Sequence, residues 1–189
     1  MGYTHFGKQA EVWKHLPLCD VMLNEKPQVY IETNSAYADY LLTSTPEQMY
    51  GIYHFIEKAK DNVLLRNCGY FQLENTAMKY NTYLGSPALA MNIFREKIDQ
   101  YIFYDIDREA IRSVERYAEN NSLEDKTKTV CQDSRIGMKD LLKSLPPSTF
   151  IHIDPYEIID EASNGCSYLD LFIEAADLGL KCFLWYGYN

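Results

Sequence analysis

Beyond residue 100 the chain repeats one pattern. A short apolar run ends on an acidic residue, a helical segment follows after a few residues, and another apolar run begins. "QYIFYDID" (100–107) leads into "DREAIRSVERYAENN", which sets Ala110, Ile111, Val114, Tyr117 and Ala118 on one helical face. "TKTVCQDS" (127–134) leads into "GMKDLLKSLPP", a helix expected to stop at Pro146 and Pro147. "TFIHIDPYEI" (149–158) leads into "SYLDLFIEAADLG", a helix with Gly179 as its expected C-cap, and "LKCFLWYGY" is the next strand. Strands and helices that alternate with such short links imply a parallel sheet with helices on both faces.

The first hundred residues are less regular. A helix is expected over 8–24, with Trp13, Leu16 and Leu23 available for burial and Pro17 either kinking it or starting a second helix. "QVYIET" (28–33) reads as a strand. Thr45, Pro46 and Gln48 spell a capping box ahead of a helix carrying Met49, Ile52, Tyr53 and Ile56 on one face. One more short helix is expected within 61–83. "GSPALAMNIFREKI" opens a further helix, with Ser86 as cap and Pro87 at its first position. The 189 residues are expected to form one α/β domain with a helical insertion at about 43–83.

Composition narrows the function. The formal net charge of −9 argues against a general nucleic-acid binder, although a local basic patch is compatible with it. No apolar run is long enough for a membrane span, and "MGYTHFGKQAEVWKH" lacks the apolar core of a secretory signal. Cys19, Cys68, Cys131, Cys166 and Cys182 are scattered, with no metal-ligand spacing, and read as reduced thiols of a cytoplasmic protein. No metal site is expected. Most of the 16 tyrosines are expected in the core, with a few free to stack on flat ligands.

In an open α/β sheet, ligands bind at the carboxyl ends of the strands. Here those ends read Glu32-Thr33-Asn34, Asp105, Asp133-Ser134 and Asp154. One strand-end acid commonly makes a turn or a cap. Four at one edge suit the hydroxyls, amines and ring nitrogens of a nucleoside-like ligand. A polyphosphate cradle is not expected, since no P-loop motif is present. Asp105 sits where ribose hydroxyls are held, Asp133 and Ser134 where an adenine edge would lie, and Asp107 is expected to cap the next helix.

These segments resemble a known family. "KQAEVWKH", a strand ending in an acid and Thr, "GSP" opening a helix, the acid of the next strand, "QDS" and "IDPYE" follow the order of the RlmJ-type adenine-N6 methyltransferases of ribosomal RNA. "YTH" (3–5) and "FLWYGY" are similar to further family segments, and the three-Cys-motif partner family shares the GSP and Asp-Pro-aromatic segments. The resemblance implies a Rossmann-like class I methyltransferase fold, S-adenosylmethionine (SAM) as cofactor and RNA as a candidate substrate. It implies cofactor contacts from Lys14, His15, Asn34, Ser86, Asp105, Asp133 and Ser134. It implies Asp154 as the catalytic acid, with Tyr156 stacking on the target base. A carboxylate that accepts the N–H bonds of an exocyclic amine helps the nitrogen turn its lone pair toward the methyl group. The target base must be flipped or single-stranded.

The chain departs from that pattern in three places. The loop after the first strand, "ETNSAYADY", has no glycine; Ala36 and Ala38 do not adopt positive φ freely, so a different loop conformation is expected. The motif Asp154-Pro155-Tyr156 is one Pro shorter than the family's, and closer to the three-Cys-motif partner pattern. The strands end at the fifth, where the fold class commonly adds two more. The alternatives are a minimal sheet, a shortened one, or an edge covered by a second copy in a homodimer. Two other functions stay open: a non-catalytic nucleoside-binding or interaction module on the same fold, and an unrelated metal-using hydrolase built on the strand-end acids.

Overall fold

A computed structural model describes residues 5–186. The Tyr3–His5 likeness and the last residues of the 180–188 strand fall partly outside that range. The chain divides into two compact units. One holds residues 26–36 and 96 onward, and contains the sheet. The other holds the N-terminal helix and residues 37–95.

The sheet unit has five parallel strands: β1 (Val29–Glu32), β4 (Gln100–Asp105), β5 (Thr127–Cys131), β6 (Thr149–Ile153) and β7 (Lys181–Leu184), in the order β5-β4-β1-β6-β7. β1 is central and buried along its whole length, as are β6 and nearly all of β4. This is why these runs are continuously apolar and do not alternate. The chain moves outward from β1 to β4 and β5, then returns to the other side of β1 for β6 and β7. Right-handed crossovers then put α7 (Arg108–Asn120) and α9 (Tyr168–Asp177) on opposite faces. The sheet is thus an α/β Rossmann-like sheet with helices on both faces, as expected.

The α9 face is an aliphatic core of Val29, Ile31, Ile102, Ile151 and Ile153 against Met138, Leu142, Leu171 and Ala175. Each such side chain withdrawn from water stabilises by about 1.5–3 kcal/mol. The opposite face is aromatic: Tyr30 stacks on Phe150, and Tyr101 on Phe103, with centroids 6.0 Å apart in both pairs. Gly179 ends α9 at φ +75°, and Asp107 caps α7 through Glu109 N. The helix expected at 137–147 instead splits into α8 (Ser134–Gly137) and a 3₁₀ turn (Leu142–Ser144).

The other unit departs more from expectation. α1 (Gln9–Glu25) runs unbroken through Pro17. It buries Val12, Leu18, Cys19 and Met22, leaving Trp13 63% and Leu23 48% exposed. The capping box on Thr45 forms, and the helix it starts runs over α2 (Pro46–Gln48), breaks within a π-helical turn over Met49–Tyr53, and continues as α3 (His54–Ala59). The break is at Gly51, whose ψ of −109° is non-helical and whose missing side chain would overlap the Gly7 carbonyl. Residues 61–83 hold two helices, α4 (Val63–Asn67) and α5 (Gly69–Ala77). β3 (Thr82–Leu84) then pairs antiparallel with β2 (Asp39–Leu41), a ribbon not anticipated from sequence. α6 (Ser86–Phe94) begins one residue earlier than expected: Gly85, not Ser86, is its N-cap. Gly85 is required there because a Cβ would overlap the Tyr37 carbonyl, while Gly85 N donates to Ala38 O at 2.8 Å.

Candidate functional site

The carboxyl end of the sheet collects the predicted acids. Glu32 is paired in register with Phe103 on one side and His152 on the other. Beyond Glu32 the ladder ends. Thr33 N still bonds His152 O (3.1 Å), but Ser35 N, one residue past the position the β1–β4 register calls for, bonds Tyr104 O (2.9 Å), so the chain bulges at 33–34 between Asp105, the last residue of β4, and Asp154, the first after β6. This edge lies at the switch point of the sheet, where strand order reverses about β1.

Asp105 is buried, and each of its oxygens accepts a backbone N–H. Oδ2 takes Ala36 N and Oδ1 takes Asp107 N, both at 2.8 Å. The first bond pins the loop after β1. Ala36 stands at φ +53°, so the glycine-free loop does adopt the left-handed turn that sequence argued against. The conformation costs an alanine about 1–2 kcal/mol. Charge-assisted bonding to Asp105 offsets that cost. Next to it, Ser35 is buried and its Oγ has no hydrogen-bond partner among the described residues.

Asn34 and Ser134 are joined by a residue that sequence reasoning did not single out. The Tyr168 hydroxyl accepts from Asn34 Nδ2 at 2.9 Å and lies 3.5 Å from Ser134 Oγ. Asp133 caps α8 through Arg135 N at 3.0 Å, and the Arg135 side chain grips both of its oxygens, at 3.0 and 2.7 Å. That fork holds the Asp133 carboxyl below its ordinary value and raises Arg135. Arg135 carried a readable signal only in its spacing two residues from Asp133, too short for a helical pair.

Asp154 is half-buried at the end of β6, and Tyr156, two residues on, is 88% exposed. Ile106, directly after Asp105, is another exposed apolar side chain at this edge, 76% exposed. Beneath the edge, Glu32 and His152 form a fully buried pair, Oε1 to Nδ1 at 3.0 Å, and the Tyr30 hydroxyl donates to Glu32 at 3.2 Å. Among the described residues no group of three or more His, Cys, Asp or Glu is placed to hold a metal ion.

Lys14, His15 and Ser86 belong to the other unit. All three are buried there. Lys14 pairs with Glu11 at 2.9 Å. His15 Nδ1 meets the Tyr83 hydroxyl at 2.8 Å, and Tyr70 donates to Tyr83 at 3.4 Å. Burial raises both phenols well above their ordinary value.

Comparison with known proteins bears on the fold. No protein-family model matches the chain, and no curated protein does. Solved structures do. A Legionella pneumophila (strain Philadelphia 1) protein of the family DUF519 is 24% identical, with a TM-score of 0.62 over 79% of this chain and 57% of its own. A SAM-dependent methyltransferase from Agrobacterium tumefaciens is 10% identical, with a TM-score of 0.50 over 95% of this chain and 45% of its own. The fold is methyltransferase-like. The chain spans little more than half the length of the first neighbour and less than half of the second. No helix among the described residues is long and apolar enough to cross a membrane.

Proposed function

We propose that the chain is a SAM-dependent methyltransferase that acts on a nitrogen nucleophile of a nucleic acid base or a small molecule. The observation that carries this reading is the pair of strand-end acids, Asp105 and Asp154, that stand at the ends of β4 and β6 on either side of β1, at the switch point of the sheet. The residues fit the cofactor. Asp105 closes β4 and holds the backbone of the loops on both sides of the edge, through Ala36 N and Asp107 N. The orphaned Ser35 Oγ needs a partner. The left-handed Ala36 supplies the turn that glycine commonly makes. Ile106 offers an apolar surface for a base.

When bound, SAM supplies an electrophilic methyl group. Asp154 accepts an N–H of the exocyclic amine and so turns the nitrogen lone pair outward. Tyr156 stacks on the acceptor base, for which its exposure suits it. The residues of this edge would contribute by holding the acceptor nitrogen in place, and such positioning is a large part of the rate gain of a transfer of this kind.

Calorimetry with SAM and S-adenosylhomocysteine is expected to show binding that Asp105→Ala abolishes. Labelled SAM is then expected to methylate an acceptor in total RNA, DNA or cell extract. Asp154→Ala should keep cofactor affinity and lose turnover by at least about a hundredfold. No binding at millimolar ligand sinks the proposal, and unchanged turnover in Asp154→Ala makes that residue structural. A second reading, a nucleoside-binding module without turnover, draws support from the Asp133 carboxylate being closed by Arg135; binding without methyl transfer would favour it.

A further inference from the structure

The two helices that cover the sheet carry different outer faces. α7 exposes Arg108, Glu109, Arg112, Glu115, Arg116 and Glu119, bases and acids in equal number, and Arg112 Nη1 bonds Glu109 at 2.6 Å. That is an ordinary solvated face. α9 exposes Leu169, Asp170, Ile173 and Asp177, which fall at helical spacing on one side, with Glu174 half-buried. Asp170, Glu174 and Asp177 stand three or four residues apart with no base between them, so they repel along the helix. Asp177 also lies in the last turn, where the helix dipole disfavours an acid. The core contacts of α9 come from the other side, through Leu171 and Ala175. Its outer face therefore costs the helix stability and serves no packing.

The same character extends to the segment that leads into α9. Residues 155–166 expose Glu157, Ile159, Asp160 and Glu161, with Ile159 69% exposed. The segment is held in place: Leu169 N donates to Ile158 O at 3.0 Å, and Asn164 Nδ2 to Arg135 O at 3.1 Å. From Asp154 to Leu180 the chain has seven acids and no Lys, Arg or His, while its other residues together carry 18 bases and 20 acids. Most of the net charge of −9 thus falls on this one stretch. Bases adjoin it at its border: Arg135, which is paired with Asp133, then Lys139 and Lys181.

We propose that α9 and the 155–166 segment form a docking surface for a basic, amphipathic segment of another protein. The partner's Lys and Arg side chains meet the acids, and its apolar side chains cover Ile159, Leu169 and Ile173. Charge complementarity selects this partner over nucleic acid, whose phosphates the same acids repel. The acids set encounter rate and orientation, and the aliphatic residues hold the partner once docked. The surface begins at Asp154, so a docked partner lies beside the edge described above. It stands whether or not the chain transfers methyl groups.

Fluorescence anisotropy on the full chain tests this, with a labelled peptide of Lys and Leu at helical spacing as the probe. The wild type should bind it, less tightly as salt is raised. Glu161→Lys combined with Asp177→Lys should weaken binding by about tenfold or more. Ile173→Ser should weaken it several-fold, and should do so at high salt as well. Glu124→Lys combined with Asp125→Lys changes the net charge equally at the opposite edge of the sheet, next to β5, and should leave the Kd unchanged. Circular dichroism checks the fold of each variant. Glu161→Gln with Asp177→Asn serves if the charge reversal does not fold, with a smaller loss expected. No binding by the wild type at millimolar peptide overturns the proposal. So does equal weakening by the two charge-reversed pairs, since bulk charge alone then acts, or a Kd that neither the Glu161/Asp177 pair nor Ile173→Ser alters. A labelled single-stranded RNA that binds the wild type and loses affinity in Ile173→Ser overturns it too, making the surface a nucleic-acid site. Self-association in light scattering that Ile173→Ser abolishes also overturns it, making the surface a contact between copies of this chain.

Discussion

Two carboxyl groups, one in each unit, are driven in opposite directions. Glu74, on α5, is fully buried, and its two oxygens share a single backbone N–H, that of Leu84, at 3.2 and 3.4 Å. Burial holds it well above its ordinary value of 4.5. Asp133, at the sheet edge, has a side chain 23% exposed and receives three N–H bonds from Arg135. Those bonds hold it below its ordinary value of 3.8. Burial sets the cost of charge, and the number of donors decides whether that cost is met. Glu74 is kept neutral and shut in, whereas the sheet edge keeps an ionised carboxylate within reach of solvent.

The largest effect that would break this contrast is removal of Glu74. Glu74→Ala leaves Leu84 N without its acceptor and opens a cavity, so urea unfolding should show a loss of about 2–4 kcal/mol. Glu74→Gln retains an acceptor and should cost less. It should also alter the pH dependence. A folded carboxyl with a raised value contributes stability fully present below 4.5 and lost as pH rises toward its folded value. Urea midpoints should therefore fall with rising pH above 4.5 in the wild type, and that component should vanish in Glu74→Gln; an unchanged slope would show that Glu74 is ionised when folded.

Asp133→Asn comes next, at about 1 kcal/mol for a part-exposed fork. The sign is opposite. A depressed carboxyl contributes stability present above 3.8 and lost as pH falls through its lower folded value. Acid titration of the wild type followed by circular dichroism should show that loss, and Asp133→Asn should lack it. The smallest effect is expected at Ala36. Ala36→Gly relieves the left-handed strain but adds freedom to the unfolded chain, for a net gain of about 0.5–1 kcal/mol in thermal unfolding. A loss would mean that the turn is not strained.

Much of the sheet unit was legible in the chain. Apolar runs that end in acids, separated by helices, determined a parallel sheet, because side-chain period and link length leave few other arrangements. The caps at Asp107, Thr45 and Gly179 were legible for the same local reason: a cap depends on residues within one turn. Local pattern failed where distant backbone intervened. Gly51 and Gly85 are placed by carbonyls at Gly7 and Tyr37, which no periodicity records. The β2–β3 ribbon joins strands some 40 residues apart in sequence, each only three residues long and too short to signal itself.

For the site, sequence alone named the strand-end acids, since the end of each strand is visible in the pattern. Only the tertiary structure decided what each one touches. It gave Asp105 to the loop after β1, allowing Ala36 a conformation its side chain opposes, and gave Asp133 to Arg135. It also brought Tyr168 from 134 residues away to bond Asn34. The reason is physical: a carboxylate takes whichever donors the packed chain brings within about 3 Å, and that choice is made by strand register and loop closure, not by neighbours in sequence.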